Sequence, residues 1–279
     1  MTVRNLLAMI EKVDPEVFDR LNSRRGAVRH FSSFSKRTAL TALPFALGSL
    51  FKKAYAQSTN PEVEAVLQFA LTLEYLEAEF YTLALGSPAL IPQGAALNAI
   101  TTIRDQEDKH VSFLKTTLEG LGKTPVSKPE FDFSGGKGTG QGAFPSVFTN
   151  YDTFLSLAQT FEDTGVRAYK GQAAELLGAG EVLTSILKIH SVEARHASHI
   201  RQMRHAGGAN VKPWITGKEN DIGAAVQSSY DGEEADTQGG ISISAINGFP
   251  ITTAAATESF DEPLSRERVL AIIDPFIVS

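Results

Sequence analysis

Two short segments of the sequence each carry a glutamate and a histidine separated by two residues. They are Glu107 with His110, and Glu193 with His196. Both segments lie in helical patterns of apolar residues, and positions three apart share one face of an α-helix. Carboxylates and imidazoles on one face could bind a metal ion, although a single pair of this kind is more often only a polar face.

A second repeat accompanies the first. Each Glu-x-x-His segment is preceded, 33 or 31 residues earlier, by a glutamate that is followed seven residues later by a tyrosine. These segments run from Glu74 to Tyr81 and from Glu162 to Tyr169. Two unrelated polar helix faces would not be expected to repeat in this way. The repetition therefore favours a metal site to which both halves of the region contribute.

All four glutamates fall on mostly apolar helix faces, where an unpaired carboxylate is costly to bury. Four carboxylates and two imidazoles are the ligands that two divalent or trivalent cations require. The predicted metal ligands are Glu74, Glu107, His110, Glu162, Glu193 and His196. Glu77 lies one helical turn from Glu74 and could replace or assist it. Tyr81 and Tyr169 could be redox-active groups, or core residues whose hydroxyls bond the ligand carboxylates; we favour the second interpretation.

The surrounding sequence predicts the helices that must position these side chains. Apolar residues at helical spacing, interrupted by glycine and proline, predict helices over about 60–86, 95–118, 152–177 and 181–206. The first and third connections are short, whereas the glycine-rich segment 123–150 is long. This pattern predicts an all-α four-helix bundle with one long crossover between its second and third helices.

The composition excludes several classes of protein. The 279 residues are 42% hydrophobic and 21% charged, which is ordinary for a globular protein. The formal net charge of −6, without a basic cluster after residue 57, argues against nucleic acid as a partner. Because the sequence has no cysteine, disulfides, iron–sulfur clusters and thiolate zinc sites are excluded. The glycine-rich segment around Lys137 lacks the strand and helix that flank a phosphate-binding loop.

The first 57 residues have a different pattern. An amphipathic helix is predicted over 3–21, followed by a basic stretch, an apolar run over 39–51 and the triplet Ala54-Tyr55-Ala56. This order is typical of an export signal cleaved before Gln57, and Ser35-Lys36-Arg37 resembles part of a twin-arginine signal. Its use would place the protein in the periplasm or cell envelope. The alternative is a cytoplasmic protein whose retained segment docks on a partner, a membrane surface or the bundle.

Residues 211–279 form a C-terminal extension, which we expect to wrap the bundle or to make subunit contacts. Trp214 is the expected anchor of this extension. This extension is expected to be irregular, with short β-branched runs such as Ile241 to Ile246, and a helix capped by Ser265 is predicted up to Ile272. No Gly-x-Ser-x-Gly segment supports a hydrolase.

Three segments of the predicted bundle resemble the ferritin-like domain proteins of bacteria, a group that includes desiccation-related proteins. They are ALTLEYLEAEFY (70–81), FEDTGVRAY (161–169) and VEARH (192–196). The similarity covers about residues 60–208, and the closing stretch 260–276 resembles the C-terminal tails of that group. The resemblance implies a ferritin-like bundle with two iron or manganese ions on the six ligands named above.

Three functions are compatible with such a site. The first is an enzyme that reacts with oxygen or peroxide, as an oxidase, peroxidase or catalase, in stress protection. The second is an iron-handling protein, and the third is a structural or desiccation-related protein in which metal mainly stabilises the bundle. The terminal extensions favour a homo-oligomer such as a dimer, or attachment to another protein, over a ferritin cage.

Overall fold

The computed structural model describes residues 61–248 and 250–278. The predicted N-terminal helix and export signal, within residues 1–57, lie outside the described residues. Four long α-helices dominate the described part: α1 (Pro61–Gly86), α2 (Ala95–Gly120), α3 (Tyr151–Ala173) and α4 (Glu181–Ala206). In this part of the chain, no helix is both long and apolar enough to cross a membrane.

The bundle consists of two helical pairs, because α1 packs along α2 and α3 packs along α4. The side chain of Asn150 caps α3 by accepting a hydrogen bond from the Thr153 N–H at 2.9 Å. The same helix ends four residues before the predicted limit at Leu177 and continues as a 3-10 turn, Ala174–Leu176. The tighter turn satisfies carbonyl groups that have no partner at a helix end.

The crossover between α2 and α3, residues 121–150, follows α1. The side chain of Gln68 donates to the Thr124 carbonyl at 2.8 Å and accepts from the Val126 N–H at 2.7 Å. Farther along, Phe133 packs on Phe80 with ring centroids 5.2 Å apart. The crossover therefore leads from the N-terminal half of α1 to its C-terminal half and starts α3 there. The prediction of an all-α four-helix bundle with one long crossover is confirmed.

Two apolar clusters fill the bundle. The larger contains Phe80, Phe154 and Phe161, and the Phe80 ring centroid lies 5.2 and 5.1 Å from those of the other two. The smaller contains Leu67 and Leu71, which lie nearer the start of α1. Each large apolar side chain stabilises the fold by about 1.5–3 kcal/mol through burial. Buried polar side chains lie between the two clusters and are called the polar layer below. They are Glu74, Glu77, Glu107, His110, Glu162, Glu193 and His196.

The C-terminal segment packs against α3. Its elements are a 3-10 helix (Ala224–Ser229), β1 (Thr237–Gln238), β2 (Ile241–Ser242), a 3-10 helix (Ile243–Gly248), α5 (Thr253–Thr257), α6 (Arg266–Ile273) and a 3-10 turn (Asp274–Phe276). Every residue of α3 from 157 to 169 is buried as a result. The polar residues among them need partners, and the C-terminal segment supplies several.

Only the first two residues of the β-branched run from Ile241 to Ile246 form a strand. Only Ile241–Ser242 pairs with Thr237–Gln238, across a turn in which Gly239 and Gly240 have φ of 58° and 82°. Just beyond this pair, the Ile243 N–H donates to the Asp236 carbonyl at 2.8 Å and the Ser244 hydroxyl donates to the Asp236 carboxylate at 2.9 Å. The chain then continues as a 3-10 helix.

Trp214 contacts its surroundings through both its side chain and its backbone. Its residue surface is 48% exposed. The side chain forms a hydrogen bond with Glu258, which lies in the same C-terminal segment. The carbonyl of Trp214 accepts a hydrogen bond from Arg201 Nη1 at 3.2 Å, so a buried arginine of α4 also holds this part of the segment. The role of Trp214 as the anchor of the segment stays a prediction.

A glycine on α3 sets how closely the C-terminal segment approaches. A Cβ atom on Gly171 would lie 2.0 Å from the Leu264 carbonyl oxygen, a backbone atom that cannot rotate away. We expect Gly171→Ala to lower the free energy of unfolding by about 1–3 kcal/mol, the usual cost of overpacking, as measured by chemical denaturation. Gly120→Ala is the control, because its Cβ would meet no atom within 4 Å. Equal losses in the two variants would contradict this account of Gly171.

Candidate metal centre

Six buried side chains from the four long helices meet in the polar layer. The four glutamates are 0% exposed, and the two histidines are 4% and 9% exposed. The side chains are Glu74 from α1, Glu107 and His110 from α2, Glu162 from α3, and Glu193 and His196 from α4. The structure thus brings together all six residues that the sequence pattern singled out.

The first half of the layer is centred on His110. Its Nδ1 atom lies 3.0 Å from Glu107 Oε2, 3.1 Å from Glu193 Oε1 and 3.2 Å from Glu74 Oε2. One ligand atom from each of these residues lies within 4.8 Å of the others. One imidazole and three carboxylates at this spacing could hold a metal ion.

The second half is centred on His196. Its Nδ1 atom lies 2.6 Å from Glu107 Oε1, 3.4 Å from Glu162 Oε2 and 3.9 Å from Glu193 Oε2. These four residues form a second group whose ligand atoms lie within 4.8 Å of one another. Glu107 and Glu193 belong to both groups and turn a different oxygen toward each histidine. The two groups of potential ligand atoms are therefore adjacent and share two carboxylates.

The donor atoms of the layer fit metal ions. Both oxygens of Glu193, Oε1 of Glu107 and Oε2 of Glu162 are buried without a hydrogen-bond partner. His196 Nδ1 is close to Glu107 Oε1, but the two atoms do not form a directed hydrogen bond. Ligand atoms about 2.1 Å from one octahedral ion lie about 3 Å apart, which is near the observed spacing. Because unpaired buried carboxylates are costly, a cation is the natural partner of this set.

Two tyrosines hold the outer oxygens of the unshared glutamates. The Tyr81 hydroxyl donates to Glu162 Oε1 at 2.5 Å, and the Tyr169 hydroxyl donates to Glu74 Oε1. Each tyrosine thus contacts the glutamate of the opposite Glu-x6-Tyr helix, because α1 and α3 run antiparallel. These are the hydroxyl–carboxylate bonds favoured on sequence grounds, and such bonds orient metal ligands.

Burial and mutual charge determine the protonation of the layer. Burial raises the pKa of Glu193 well above its usual value, and the carboxylate of Glu107 raises it further. Burial alone would also raise the pKa of Glu107, but the hydrogen bond with His110 and the positive charges of His110 and His196 lower it to about 2. Burial would lower the pKa of His196, but Glu162 and Glu107 raise it to about 11. Protonated histidines therefore supply positive charge to the carboxylates when no metal is bound.

Gln106 is a contact that sequence reasoning missed. Its Oε1 atom lies 2.6 Å from His196 Nε2, which leaves Nδ1 of that ring directed at the carboxylates. The residue that precedes Glu193 in the other repeat is Val192, which cannot make the same bond. The two halves of the layer therefore differ in how their histidines are oriented.

The glycine-rich crossover loop has a structural explanation. The carboxylate of Asp132 accepts hydrogen bonds from the N–H groups of Ser134, Gly138 and Gly140 at 3.0, 2.8 and 3.0 Å. The Asp132 carboxylate thus accepts hydrogen bonds from backbone N–H groups that a phosphate would need. These hydrogen bonds hold the loop closed.

Comparison with known proteins agrees with this geometry. The sequence model of the ferritin-like domain family matches residues 63–206, more than half of the chain and nearly the whole span from α1 to α4. Comparison with curated proteins finds no match. The subgroup of bacterial desiccation-related proteins stays a prediction. A four-helix bundle with its long crossover, the buried glutamate–histidine layer and the family match lead to one conclusion: the chain belongs to the ferritin-like family.

Proposed function

We propose that the polar layer binds two iron or manganese ions and that these ions react with oxygen or peroxide. The observation that carries the proposal is the sharing of Glu107 and Glu193 by two groups of four ligands. Four ionised carboxylates would balance two divalent ions, and each ion would receive one imidazole. Iron or manganese at such a site supplies the electrons that reduce oxygen or peroxide.

The residues around the layer support small substrates. The six ligand side chains are buried, and the side chain of His110, at 11% exposure, is the most accessible of them. Apolar clusters on both sides exclude bulk water, which strengthens electrostatic interactions in the layer. Tyr81 and Tyr169 hold two carboxylates in place through their hydroxyls. Dioxygen and hydrogen peroxide are small enough for such a site.

A second candidate is a structural role for the metal. The ligands come from all four long helices, so a bound ion would tie the bundle together and its binding energy would stabilise the fold. The two candidates differ in the consequence of metal binding. A structural ion raises thermal stability without consuming a substrate, whereas a catalytic centre consumes oxygen or peroxide.

The reaction is tested on protein loaded with Fe²⁺ or Mn²⁺ without oxygen and then exposed to oxygen or peroxide. We expect oxygen uptake or peroxide loss that exceeds the rate with free metal, measured with an oxygen electrode and by peroxide absorbance. Glu119→Ala, which changes an exposed residue of α2, should keep this activity. If the protein binds Fe²⁺ and Mn²⁺ tightly but shows neither oxygen uptake nor peroxide loss, the result contradicts the enzymatic function and favours the structural role.

Metal affinity should rise with pH. Burial would lower the pKa of His110, but Glu74, Glu107 and Glu193 raise it above its usual value, and the pKa of His196 is raised to about 11. Both imidazoles are therefore protonated at neutral pH in the metal-free protein and must lose a proton to bind metal. We expect the affinity for Mn²⁺ to rise at least about tenfold per pH unit between about pH 6 and 8. Titrations in non-coordinating buffers measure this dependence, and an affinity that does not change with pH would contradict it.

A further inference from the structure

Glu77 is a further carboxylate of the polar layer that belongs to neither group of four ligands. Its residue surface is 2% exposed, and its Oε2 atom has no hydrogen-bond partner. Burial raises the pKa of Glu77 well above its usual value, and the nearby carboxylates of Glu193 and Glu162 raise it further. An unpaired carboxylate buried among like charges is costly unless a cation compensates it.

The two halves of the layer differ at the position that Glu77 occupies. Glu77 follows Glu74 by three residues, whereas Gly165 follows Glu162 by three. A Cβ atom on Gly165 would lie 3.1 Å from Glu77 Oε1 and 3.6 Å from Glu193 Oε2. The carboxylate of Glu77 thus lies beside Gly165, where α3 has no side chain. It is also near the carboxylate of Glu193, which both groups of ligands share. This location makes it an addition to the six ligands, because Glu74 keeps its own place beside His110.

We propose that Glu77 is an additional carboxylate ligand of the metal centre and makes the centre favour trivalent over divalent ions. The inference rests on the proposed function of the layer. Four carboxylates balance two divalent ions, whereas a fifth balances one divalent and one trivalent ion. Since the energy between a carboxylate and an ion is proportional to the charge of the ion, Glu77 should stabilise a trivalent ion more. In an iron or manganese centre, this preference favours the oxidised state.

Redox-inert Zn²⁺ and Ga³⁺ test the preference without any reaction. Their affinities for the wild-type protein and for Glu77→Gln are measured by competition with nitrilotriacetate. We expect the logarithm of the affinity loss to be about one and a half times as large for Ga³⁺, for example about 1,000-fold against about 100-fold for Zn²⁺. Glu64→Gln removes the same charge from a partly exposed glutamate of α1 that pairs with Lys123. This control should leave both affinities unchanged.

The outcomes separate this inference from the proposed function. Equal losses for the two ions, or no loss, would overturn the role of Glu77 while leaving the six-ligand centre in place. Failure of the wild-type protein to bind either ion would overturn the centre itself. Thermal unfolding of the metal-free variants adds a second readout. Glu77→Gln should unfold at the same or a higher temperature, because it removes an unpaired buried carboxylate, and a lower temperature would indicate a structural role and overturn the inference.

Discussion

Glu107→Gln should reduce the bound iron or manganese from about two ions per chain to less than one while the helices stay folded. Glu107 is shared by both groups of ligands, through Oε2 toward His110 and Oε1 toward His196. A glutamine of the same size keeps the packing but removes the charge that both positions need. Elemental analysis of the purified variant measures metal content, and circular dichroism checks the helices.

Two other variants make the result specific. Glu74 belongs to the first group alone, so Glu74→Gln should keep about one ion per chain. Glu119→Gln changes an exposed glutamate of α2 and should keep both ions. Equal metal content in Glu107→Gln and Glu119→Gln would show that Glu107 is not a shared ligand.

Arg167→Ala should lower the free energy of unfolding by about 3–5 kcal/mol, the cost of removing one partner from a buried ion pair. The guanidinium is 1% exposed and lies 2.6 Å from the fully buried carboxylate of Glu233. It also donates to the carbonyls of Ser229, Asp231 and Glu262 at 2.5, 3.0 and 2.8 Å. Loss of the side chain leaves a carboxylate and three carbonyls without this donor.

The same variant should also release the C-terminal segment from α3. Limited proteolysis should cut Arg167→Ala between residues 229 and 262 under conditions in which the wild-type protein is stable. Arg195→Ala removes an exposed arginine of α4 and serves as the control for chemical denaturation. A loss below about 1 kcal/mol in Arg167→Ala would contradict the account, because exposed arginines typically contribute no more than that.

The sequence allowed the glutamates and histidines of the polar layer to be predicted because their signal is local. A Glu-x-x-His segment places two ligands on one helix face, and its repetition at Glu107 and Glu193 required no knowledge of packing. Partners across the bundle were harder to predict. Tyr81 bonds Glu162 and Gln106 contacts His196, and both contacts depend on which helices are neighbours.

The burial of α3 could not be predicted from the sequence of that helix. Asp163 and Arg167 lie among apolar residues and look like breaks in the core face. The C-terminal segment, more than 60 residues later, supplies Glu233 to Arg167 and Tyr230 to Asp163. Asp163 also accepts two hydrogen bonds from Arg201 of α4. Long-range contacts of this kind leave no periodic pattern in the sequence.

Anomalous X-ray diffraction from crystals grown with Mn²⁺ or Fe²⁺ would locate the ions of the proposed dinuclear centre. We expect two peaks in the polar layer, one beside His110 and one beside His196, with the carboxylates of Glu107 and Glu193 between them. Each imidazole Nδ1 should lie about 2.0–2.3 Å from its peak. A layer without anomalous density in crystals that bind the metal elsewhere would contradict the dinuclear centre.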